Sequence, residues 1–274
     1  MLTSAASALV CWTVTHPPRH LPDRTPASVG LAYRDVTFCS REDRLEIKGW
    51  LLPAANSDRV VIMAHGYRNN RLQDDVPALS LARELVKAGY NVLMFDFRNC
   101  GESAGAITSI GQYEVRDLLG AVDFVRHTPG ISRRVALLGF SMGAGTAILA
   151  AAGEPAVDAV IADSPFADLE KHLKDKCHPL GSVLVPELKL LTGLQPERVA
   201  PAKEVSKLAS RPLLLVHGEA DKVISKVSSE QIWRAAGPAA SLWTVPEAGH
   251  LKAYAVAGSD YSHRVIGFLD DALR

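Results

Sequence analysis

The most regular feature of the chain is a series of short apolar runs, which are typical of strands buried on both faces of a sheet. The pattern predicts strands at 33–39, 45–52, 59–64, 91–95, 134–138, 157–162, 211–216 and, more weakly, 241–245. The first two flank the polar turn Arg41-Glu42-Asp43 and predict a hairpin.

Segments of helical periodicity lie between the later runs. Apolar faces are formed by Leu79, Ala82, Leu85 and Val86 and by Leu118, Ala121, Val122 and Val125. Parallel strands need crossover connections, and helices are the usual ones. The chain is therefore predicted to form an α/β fold, with a doubly wound, mostly parallel sheet flanked by helices and the hairpin at its antiparallel edge.

One connection, at about 165–209, is long for this architecture. It contains amphipathic stretches at 169–176 and 183–191, which we expect to be interrupted by Pro179, Pro186 and Pro196. Its apolar content is too high for a linker, so it predicts a small helical lid after the sixth strand. We expect residues 31–274 to form a single domain that includes this insert, preceded by a lead-in segment at 1–30.

Composition and charge exclude several classes of protein. Thirty Lys plus Arg balance thirty Asp plus Glu, so nothing favours nucleic acid or an anionic membrane as a partner. The four cysteines, Cys11, Cys39, Cys100 and Cys177, are widely spaced and form no CxxC pair. No metal site, disulfide framework or cofactor is indicated, and the sequence leaves the oligomeric state open.

The first fifteen residues contain no charged side chain and include the apolar run at 8–12. They lack the basic start of a signal peptide and are too short to span a bilayer. The segment is either a helix packed on the core or the remnant of a membrane anchor. We expect a cytoplasmic protein, with membrane association through this segment as the alternative.

The strongest chemical signal is Gly139-Phe140-Ser141-Met142-Gly143. A nucleophilic serine projects from a sharp strand-to-helix turn, where flanking glycines avoid collisions with neighbouring backbone. The pattern also occurs in ordinary Gly-rich turns. Here it follows a predicted strand and precedes the small residues at 144–147, which favours Ser141 as a nucleophile.

Residues 65–68, HGYR, follow another predicted strand and supply candidates for an oxyanion hole. Attack on an acyl carbon creates an oxyanion that needs preorganised N–H donors. The backbone N–H groups of Met142, directly after the nucleophile, and of Tyr67 are the predicted donors. His65 is predicted to be structural.

The remaining members of a catalytic triad are predicted after the last two strands. Asp221 lies on the loop after the strand at 211–216 and can orient the imidazole of a base, with Glu219 as its rival. His250 follows the final strand, and its ordinary pKa near neutrality suits a general base. The order Ser141, Asp221, His250 is that of the α/β-hydrolases.

Other polar residues are given simpler interpretations. Asp96 and Arg98 are expected to brace loops around the site, and Cys100 to be a packed thiol. Glu114 and Asp117 are interpreted as acids at a helix start, where they favour the helix dipole.

With these motifs the chain resembles the α/β-hydrolase superfamily from about residue 33 to its C-terminus. The stretches HGYRNNR (65–71), FDFRNCGES (95–103), GFSMGAGTA (139–147) and DSPFADL (163–169) are particularly similar to a branch that contains bacterial esterases. Eukaryotic depalmitoylating thioesterases are its relatives. The resemblance implies an eight-stranded fold, metal-free ester hydrolysis and a lid after the sixth strand, and many members begin with a membrane-anchoring helix.

The predicted reaction is acyl transfer to water on a small-molecule ester, through an acyl-enzyme on Ser141. A carboxylesterase for short or medium acyl chains is the first interpretation. An acyl-protein or acyl-CoA thioesterase is the second, and a peptidase the third. The alternative from another class is a catalytically silent, hydrolase-like binding module.

Overall fold

A computed structural model describes residues 2–131, 133–178 and 181–274 of the protein. Its strands are β1 (Arg34–Cys39), β2 (Glu46–Leu52), β3 (Arg59–Ala64), β4 (Asn91–Phe95), β5 (Arg134–Phe140), β6 (Ala159–Asp163), β7 (Leu213–Gly218) and β8 (Ala240–Val245). Its helices are α1 (Leu2–Thr15), α2 (Ala78–Lys87), α3 (Glu114–His127), α4 (Met142–Gly153), α5 (Leu169–Lys176), α6 (Gly181–Thr192), α7 (Pro201–Glu204), α8 (Val227–Ala236), α9 (Ala253–Ala257) and α10 (Ser259–Ala272). Short 3-10 turns lie at Pro26–Val29, Pro196–Arg198 and Val205–Leu208.

The strands form one sheet in the order β1-β2-β4-β3-β5-β6-β7-β8. β1 pairs with β2, and β2 with β4, in antiparallel orientation, whereas every pair from β4 to β8 is parallel. The parallel strands therefore all point their carboxyl ends to the same edge of the sheet. The predicted eight-stranded, mostly parallel architecture with an antiparallel hairpin at one edge is confirmed.

Both faces of the sheet are covered by apolar layers, which explains why its strands are apolar without alternation. In β3, Val60, Ile62 and Ala64 belong to one layer, and Val61 and Met63 to the other. Residues of α3, α4 and α8 complete the first layer, and residues of α2 and α10 complete the second. The predicted helical faces are buried in these layers, with Leu85 and Leu118 fully inaccessible to solvent.

The insert between β6 and β7 is helical, as its amphipathic stretches predicted. It contains α5, α6 and α7. The expectation that Pro186 interrupts the second stretch is wrong, because this residue lies inside α6. A proline removes one backbone hydrogen bond, and burial of Val185 and Leu188 on the same helix offsets that loss. The predicted break at Pro179 lies outside the described residues.

The N-terminal apolar segment forms helix α1, which packs against α6. Cys11 is buried in a small cluster with Leu188 and Leu194, and Thr15 at the end of the helix is fully buried. Within the described part of the chain, no helix combines the length and the apolar character required to cross a membrane. Residues 17–25 after α1 contain neither a helix nor a strand.

Candidate active site

Ser141 occupies a strained turn between β5 and α4. Its φ of 51° and ψ of −111° lie outside the conformations that most non-glycine residues adopt. A Cβ atom at Gly139 would collide with the carbonyl oxygen of Gly143, and one at Gly143 would collide with that of Ala64. Both glycines are therefore required by the close approach of backbone, which is the physical basis of the Gly-Phe-Ser-Met-Gly pattern.

His250 and Asp221 meet the serine in a linear series of hydrogen bonds. The hydroxyl of Ser141 donates to Nε2 of His250 at 3.0 Å, and Nδ1–H of His250 donates to Oδ2 of Asp221 at 2.7 Å. The three side chains are separated by 80 and 29 positions in sequence, since they lie at 141, 221 and 250. The sheet brings them together because the loops after β5, β7 and β8 lie at the same edge.

The loop that carries His250 is held against the loop that carries Asp221. The N–H of Ala220 donates to the carbonyl oxygen of Ala248 at 2.9 Å, and that of Glu219 donates to Val245 at 3.0 Å. A Cβ at Gly218 would collide with the same Ala248 carbonyl group, so glycine permits this contact. The two loops therefore form one unit that fixes the distance between the side chains of Asp221 and His250.

The side chain of Asp221 is inaccessible to solvent, and both of its oxygen atoms are hydrogen-bonded. Its Oδ1 accepts from the N–H groups of Val223 and Ile224 at 2.7 Å and 2.9 Å. Burial alone would raise the pKa of Asp221, but the hydrogen bonds from His217 and His250 outweigh it and hold the pKa well below its usual range. The rival acid, Glu219, instead accepts from the hydroxyl of Thr244 at 2.9 Å.

His217 is a second histidine beside Asp221, and sequence reasoning gave it no role. Its Nε2–H donates to the carbonyl oxygen of Ile224 at 2.9 Å, and Nδ1 accepts from the hydroxyl of Ser229 at 2.7 Å. The ring is fully buried at the end of β7. A histidine that ends a buried strand needs partners for both nitrogen atoms, and this requirement is the signal that could have identified it.

Asp163 contacts Ser141 through its backbone, and sequence reasoning gave it no role either. Its carbonyl oxygen accepts the N–H of Ser141 at 2.8 Å. Its carboxylate accepts from the hydroxyls of Ser164 and Tyr261, each at 2.8 Å. Burial raises the pKa of Asp163 above its usual value. Asp163 therefore fixes the turn at Ser141 through its backbone, while its side chain ties β6 to α10.

Tyr67 and Met142, whose N–H groups are the predicted oxyanion-hole donors, both lie beside Ser141. Met142 is the first residue of α4, and helix N-termini present N–H groups without partners inside the helix. The loop after β3 approaches the nucleophile closely, since a Cβ at Gly66 would lie 3.5 Å from Cβ of Ser141. Among the described residues, neither the Tyr67 nor the Met142 N–H donates to another protein group.

Gln73 and His65 hold the loop that contains Tyr67. The N–H of Gly66, directly before Tyr67, donates to Oε1 of Gln73. Nδ1–H of His65 donates to the carbonyl oxygen of Gly66 at 2.7 Å, and Nε2 accepts from the N–H of Phe97 at 2.9 Å. Both ring nitrogens of His65 are thus hydrogen-bonded inside the protein, which agrees with the structural role predicted for this residue.

A buried ion pair between Arg71 and Asp96 also holds the loop that contains Tyr67. Nη2 of Arg71 donates to Oδ2 of Asp96 at 2.5 Å, and the N–H of Arg71 donates to Oδ1 at 2.7 Å. Burial raises the pKa of the neighbouring Cys100 thiol to about 12, so this side chain is protonated near neutral pH. These contacts agree with the bracing role expected for Asp96 and with a packed thiol at Cys100.

Glu114 and Asp117 do more than begin a helix. Both lie in the first turn of α3, as the sequence indicated, but both are also fully buried. Glu114 accepts from the N–H groups of Ser109 and Gly111 at 2.7 Å and 2.8 Å. Asp117 accepts from Nη2 of Arg98 at 2.8 Å. Both acids therefore lie at a helix start as predicted, and in addition each accepts hydrogen bonds inside the protein.

A cavity of about 160 Å³ opens beside Ser141. Its walls are almost entirely apolar and come from the loops around the site and from the insert. The lining residues are Val14, Tyr67, Ile110, Ser141, Met142, Phe166, Leu169, His172, Leu173, Val223 and Ile224. Apolar cavities with a few polar groups are typical of small-molecule sites.

His172, on α5, contributes a polar side chain to this cavity. Its ring is stacked on that of Phe166, with 6.1 Å between the ring centroids. Burial, followed by the positive charge of Lys176 and of His250, lowers the pKa of His172 to about 4. The ring is therefore neutral near neutral pH, and it also borders a second, more open groove of about 320 Å³.

The eight-stranded, mostly parallel sheet and the serine on its strand-to-helix turn define the α/β-hydrolase fold. The protein is a hydrolase of the α/β-hydrolase superfamily. Residues 43–245 match the model of the X-Pro dipeptidyl-peptidase (S15) family, and the chain belongs to that family.

Several known proteins are similar over most of the chain. The esterase Pf2001 of Pyrococcus furiosus superposes with a TM-score of 0.81 at 29% identity, covering 95% of this chain and 99% of that chain. The uncharacterized protein YqkD of Bacillus subtilis is 28% identical over 236 residues, which cover 82% of this chain and 76% of YqkD. The uncharacterized protein YfhR of Escherichia coli O157:H7 is 29% identical over 248 residues, which cover 87% of this chain and 81% of YfhR.

Proposed function

We propose that the protein hydrolyses carboxylic esters of short or medium acyl chain through an acyl-enzyme on Ser141. The observation that carries the proposal is the unbroken series from the Ser141 hydroxyl to Nε2 of His250, at 3.0 Å, and from Nδ1 of His250 to Asp221, at 2.7 Å. The similarity to a solved esterase over 95% of the chain supports the same reaction class.

In the proposed mechanism, His250 acts first as a base. It takes the proton of the Ser141 hydroxyl while the serine oxygen attacks the ester carbonyl carbon. The carboxylate of Asp221 stabilises the imidazolium that forms and keeps Nδ1 protonated before and after the step. Because the pKa of Asp221 is held far below neutrality, the carboxylate is charged at every pH at which His250 can act as a base.

The negative charge on the substrate oxygen is stabilised by backbone groups. The N–H groups of Tyr67 and Met142 are the proposed donors, and the N-terminus of α4 adds the favourable end of a helix dipole. Collapse of the tetrahedral intermediate returns the proton from His250 to the leaving alcohol. Water then repeats the sequence on the acyl-enzyme and releases the acid, which restores Ser141.

The size of the cavity supports the proposed chain length. One water molecule takes about 30 Å³ in the liquid, and a methylene group takes a similar volume. A cavity of about 160 Å³ therefore has room for several methylene groups. Transfer of each methylene group from water into the cavity contributes about 0.8 kcal/mol to binding. This contribution favours butyryl to octanoyl groups over an acetyl group.

The lining of the cavity favours an ester over the substrate of a dipeptidyl-peptidase. A peptide cleaved near its amino terminus carries an ammonium group, which needs a carboxylate partner when it leaves water. Among the described residues that line the cavity, none is an aspartate or a glutamate. An acyl-protein or acyl-CoA thioesterase is compatible with the same apolar pocket and differs only in the leaving group.

Matched substrates test the proposal. We expect kcat/KM for p-nitrophenyl butyrate to exceed that for an Ala-Pro p-nitroanilide by at least about 1000-fold, equivalent to about 4 kcal/mol. Turnover of the thioester analogue with the same butyryl group tests the thioesterase interpretation. A preference for the anilide, or no turnover of any of the three substrates, would contradict the proposal. The latter result, with Ser141 also unreactive to a fluorophosphonate, would identify a silent binding module.

A further inference from the structure

Helix α1 contributes a wall to the cavity beside Ser141, although it lies far from Ser141 in the sequence. The residue that does so is Val14, which lines the cavity together with residues of α5 and of the loop after β7. Val14 is half-buried, and the next residue, Thr15, is fully buried.

The position of Val14 is fixed by hydrogen bonds to two different loops of the catalytic domain. The hydroxyl of Tyr67 donates to the carbonyl oxygen of Val14 at 2.7 Å. The N–H of Thr108 donates to the carbonyl oxygen of Thr15 at 2.8 Å. Because consecutive carbonyl groups are held in this way, the backbone at Val14 has a fixed position beside the cavity.

The outer side of α1 is anchored as well. Cys11 lies one turn before Thr15 and is buried against Leu188 of α6 and Leu194. The hydroxyl of Thr15 donates to the carbonyl oxygen of Cys11 at 2.9 Å, which stabilises the last turn. Helix α1 is therefore packed between the insert and the loop that contains Tyr67. Val14 is the residue of α1 that lines the apolar cavity.

We infer that Val14 is a specificity-determining residue that limits the length of the acyl chain, and that α1 is part of the substrate-binding site. The inference rests on the proposed esterase function, because it assigns the apolar cavity to the acyl group. A valine at this point fills a volume that a longer chain would otherwise occupy. A larger side chain shortens the cavity, and a smaller one extends it.

The expected effects follow from the number of methylene groups that remain buried. Each one contributes about fourfold to kcat/KM. In Val14→Phe, the aromatic ring takes the space of several methylene groups. The kcat/KM for p-nitrophenyl octanoate should therefore fall at least about tenfold relative to that for the acetate. In Val14→Ala, two methyl groups are removed, so kcat/KM for the octanoate should rise about fourfold to sixteenfold relative to that for the acetate.

The experiment measures kcat/KM for p-nitrophenyl acetate, butyrate, hexanoate and octanoate with both Val14 variants and with Leu9→Phe and Leu9→Ala as controls. Leu9 lies on the same helix with 64% of its surface exposed, and it does not line the cavity. Opposite shifts of the chain-length profile in the two Val14 variants, with unshifted profiles in the controls, are the expected result. Profiles of both Val14 variants that run parallel to the wild type would overturn the inference.

A binding measurement separates this inference from the proposed function. In the Ser141→Ala background, butyrate, hexanoate and octanoate are added and the rise in Tm is recorded with valine, alanine or phenylalanine at position 14. The chain length that gives the largest rise should be longer with alanine and shorter with phenylalanine. If the wild type hydrolyses no ester but this order holds, the proposed function fails and the pocket assignment stands. If ester hydrolysis is normal but neither readout responds to position 14, only the inference fails.

Discussion

Nε2 of His217 lies 3.3 Å from Oδ2 of Asp221, the same oxygen atom that accepts the hydrogen bond from His250. The Asp221 carboxylate is thus contacted by two histidine rings, one fully buried and one partly exposed. Because His217 is itself held by Ser229 and Ile224, it restricts the orientation of the Asp221 carboxylate. We interpret His217 as a positioning residue that acts through Asp221.

Replacement of His217 tests that role. In His217→Leu the carboxylate loses a donor, and its orientation toward His250 is less restricted. We expect kcat to fall by about tenfold, or about 1.4 kcal/mol of transition-state stabilisation, with little change in KM. Kinetics with p-nitrophenyl butyrate measure the effect, and urea unfolding checks the fold. His263→Leu, at an exposed position of α10, is the control. An unchanged kcat in folded His217→Leu would refute the positioning role.

The turn at Ser141 makes a prediction about stability. A methyl group at position 143 would collide with the carbonyl oxygens of Ala64 and His65. Both groups belong to the backbone and cannot rotate away, so Gly143→Ala should destabilise the protein by about 3 kcal/mol, the upper part of the usual range for overpacking. A methyl group at Gly153, at the other end of α4, would have no atom of the described residues within 4 Å outside its own stretch of helix. Gly153→Ala should therefore be neutral or stabilise by about 0.4–1 kcal/mol, as measured by urea denaturation. Equal effects at both positions would contradict the account of the turn.

The low pKa of Asp221 makes stability depend on pH in a defined direction. Hydrogen bonds from His217 and His250 lower the pKa in the folded state, so folding favours the ionised form. The contribution of Asp221 is fully present above its unfolded pKa of about 3.9 and is lost as the pH falls toward the folded value. Wild type should exceed Asp221→Asn in unfolding free energy at pH 6, and the difference should narrow below about pH 4. Urea denaturation at pH 6, 4 and 3 measures it. A difference that stays constant or widens toward pH 3 would show that the pKa is not lowered.

Much of the fold could be predicted because the strands carry their own signal. β3 and β4 are apolar on both faces, and the structure gives them the predicted bounds, Arg59–Ala64 and Asn91–Phe95. β5 continues two residues beyond its prediction, to Phe140. The extension includes Gly139, which interrupts the apolar pattern although its backbone still pairs with β6 at Ala162. Pro186 was misjudged because tertiary packing, rather than local propensity, decides whether α6 continues.

The candidate site shows a similar division. Ser141, Asp221 and His250 were selected from motifs and chain order, and the structure brings the three side chains together, while their catalytic roles remain predictions. Asp163 was passed over because its contacts depend on strand register. Its pairing opposite Phe140 in β5 places it beside the nucleophile, and its partner Tyr261 is 98 positions away. No local pattern in the sequence contains that information.

The central claim is that Ser141 is the nucleophile of an ester hydrolase and that His250 activates it. The most direct measurement is the intact mass of the protein after reaction with a fluorophosphonate, followed by peptide mapping. We expect one adduct, on the peptide that contains Ser141, with labelling abolished in Ser141→Ala and slowed at least about 100-fold in His250→Ala, a range typical of loss of a general base. An adduct on another residue of the wild-type protein, or ester hydrolysis that persists in Ser141→Ala, would contradict the account.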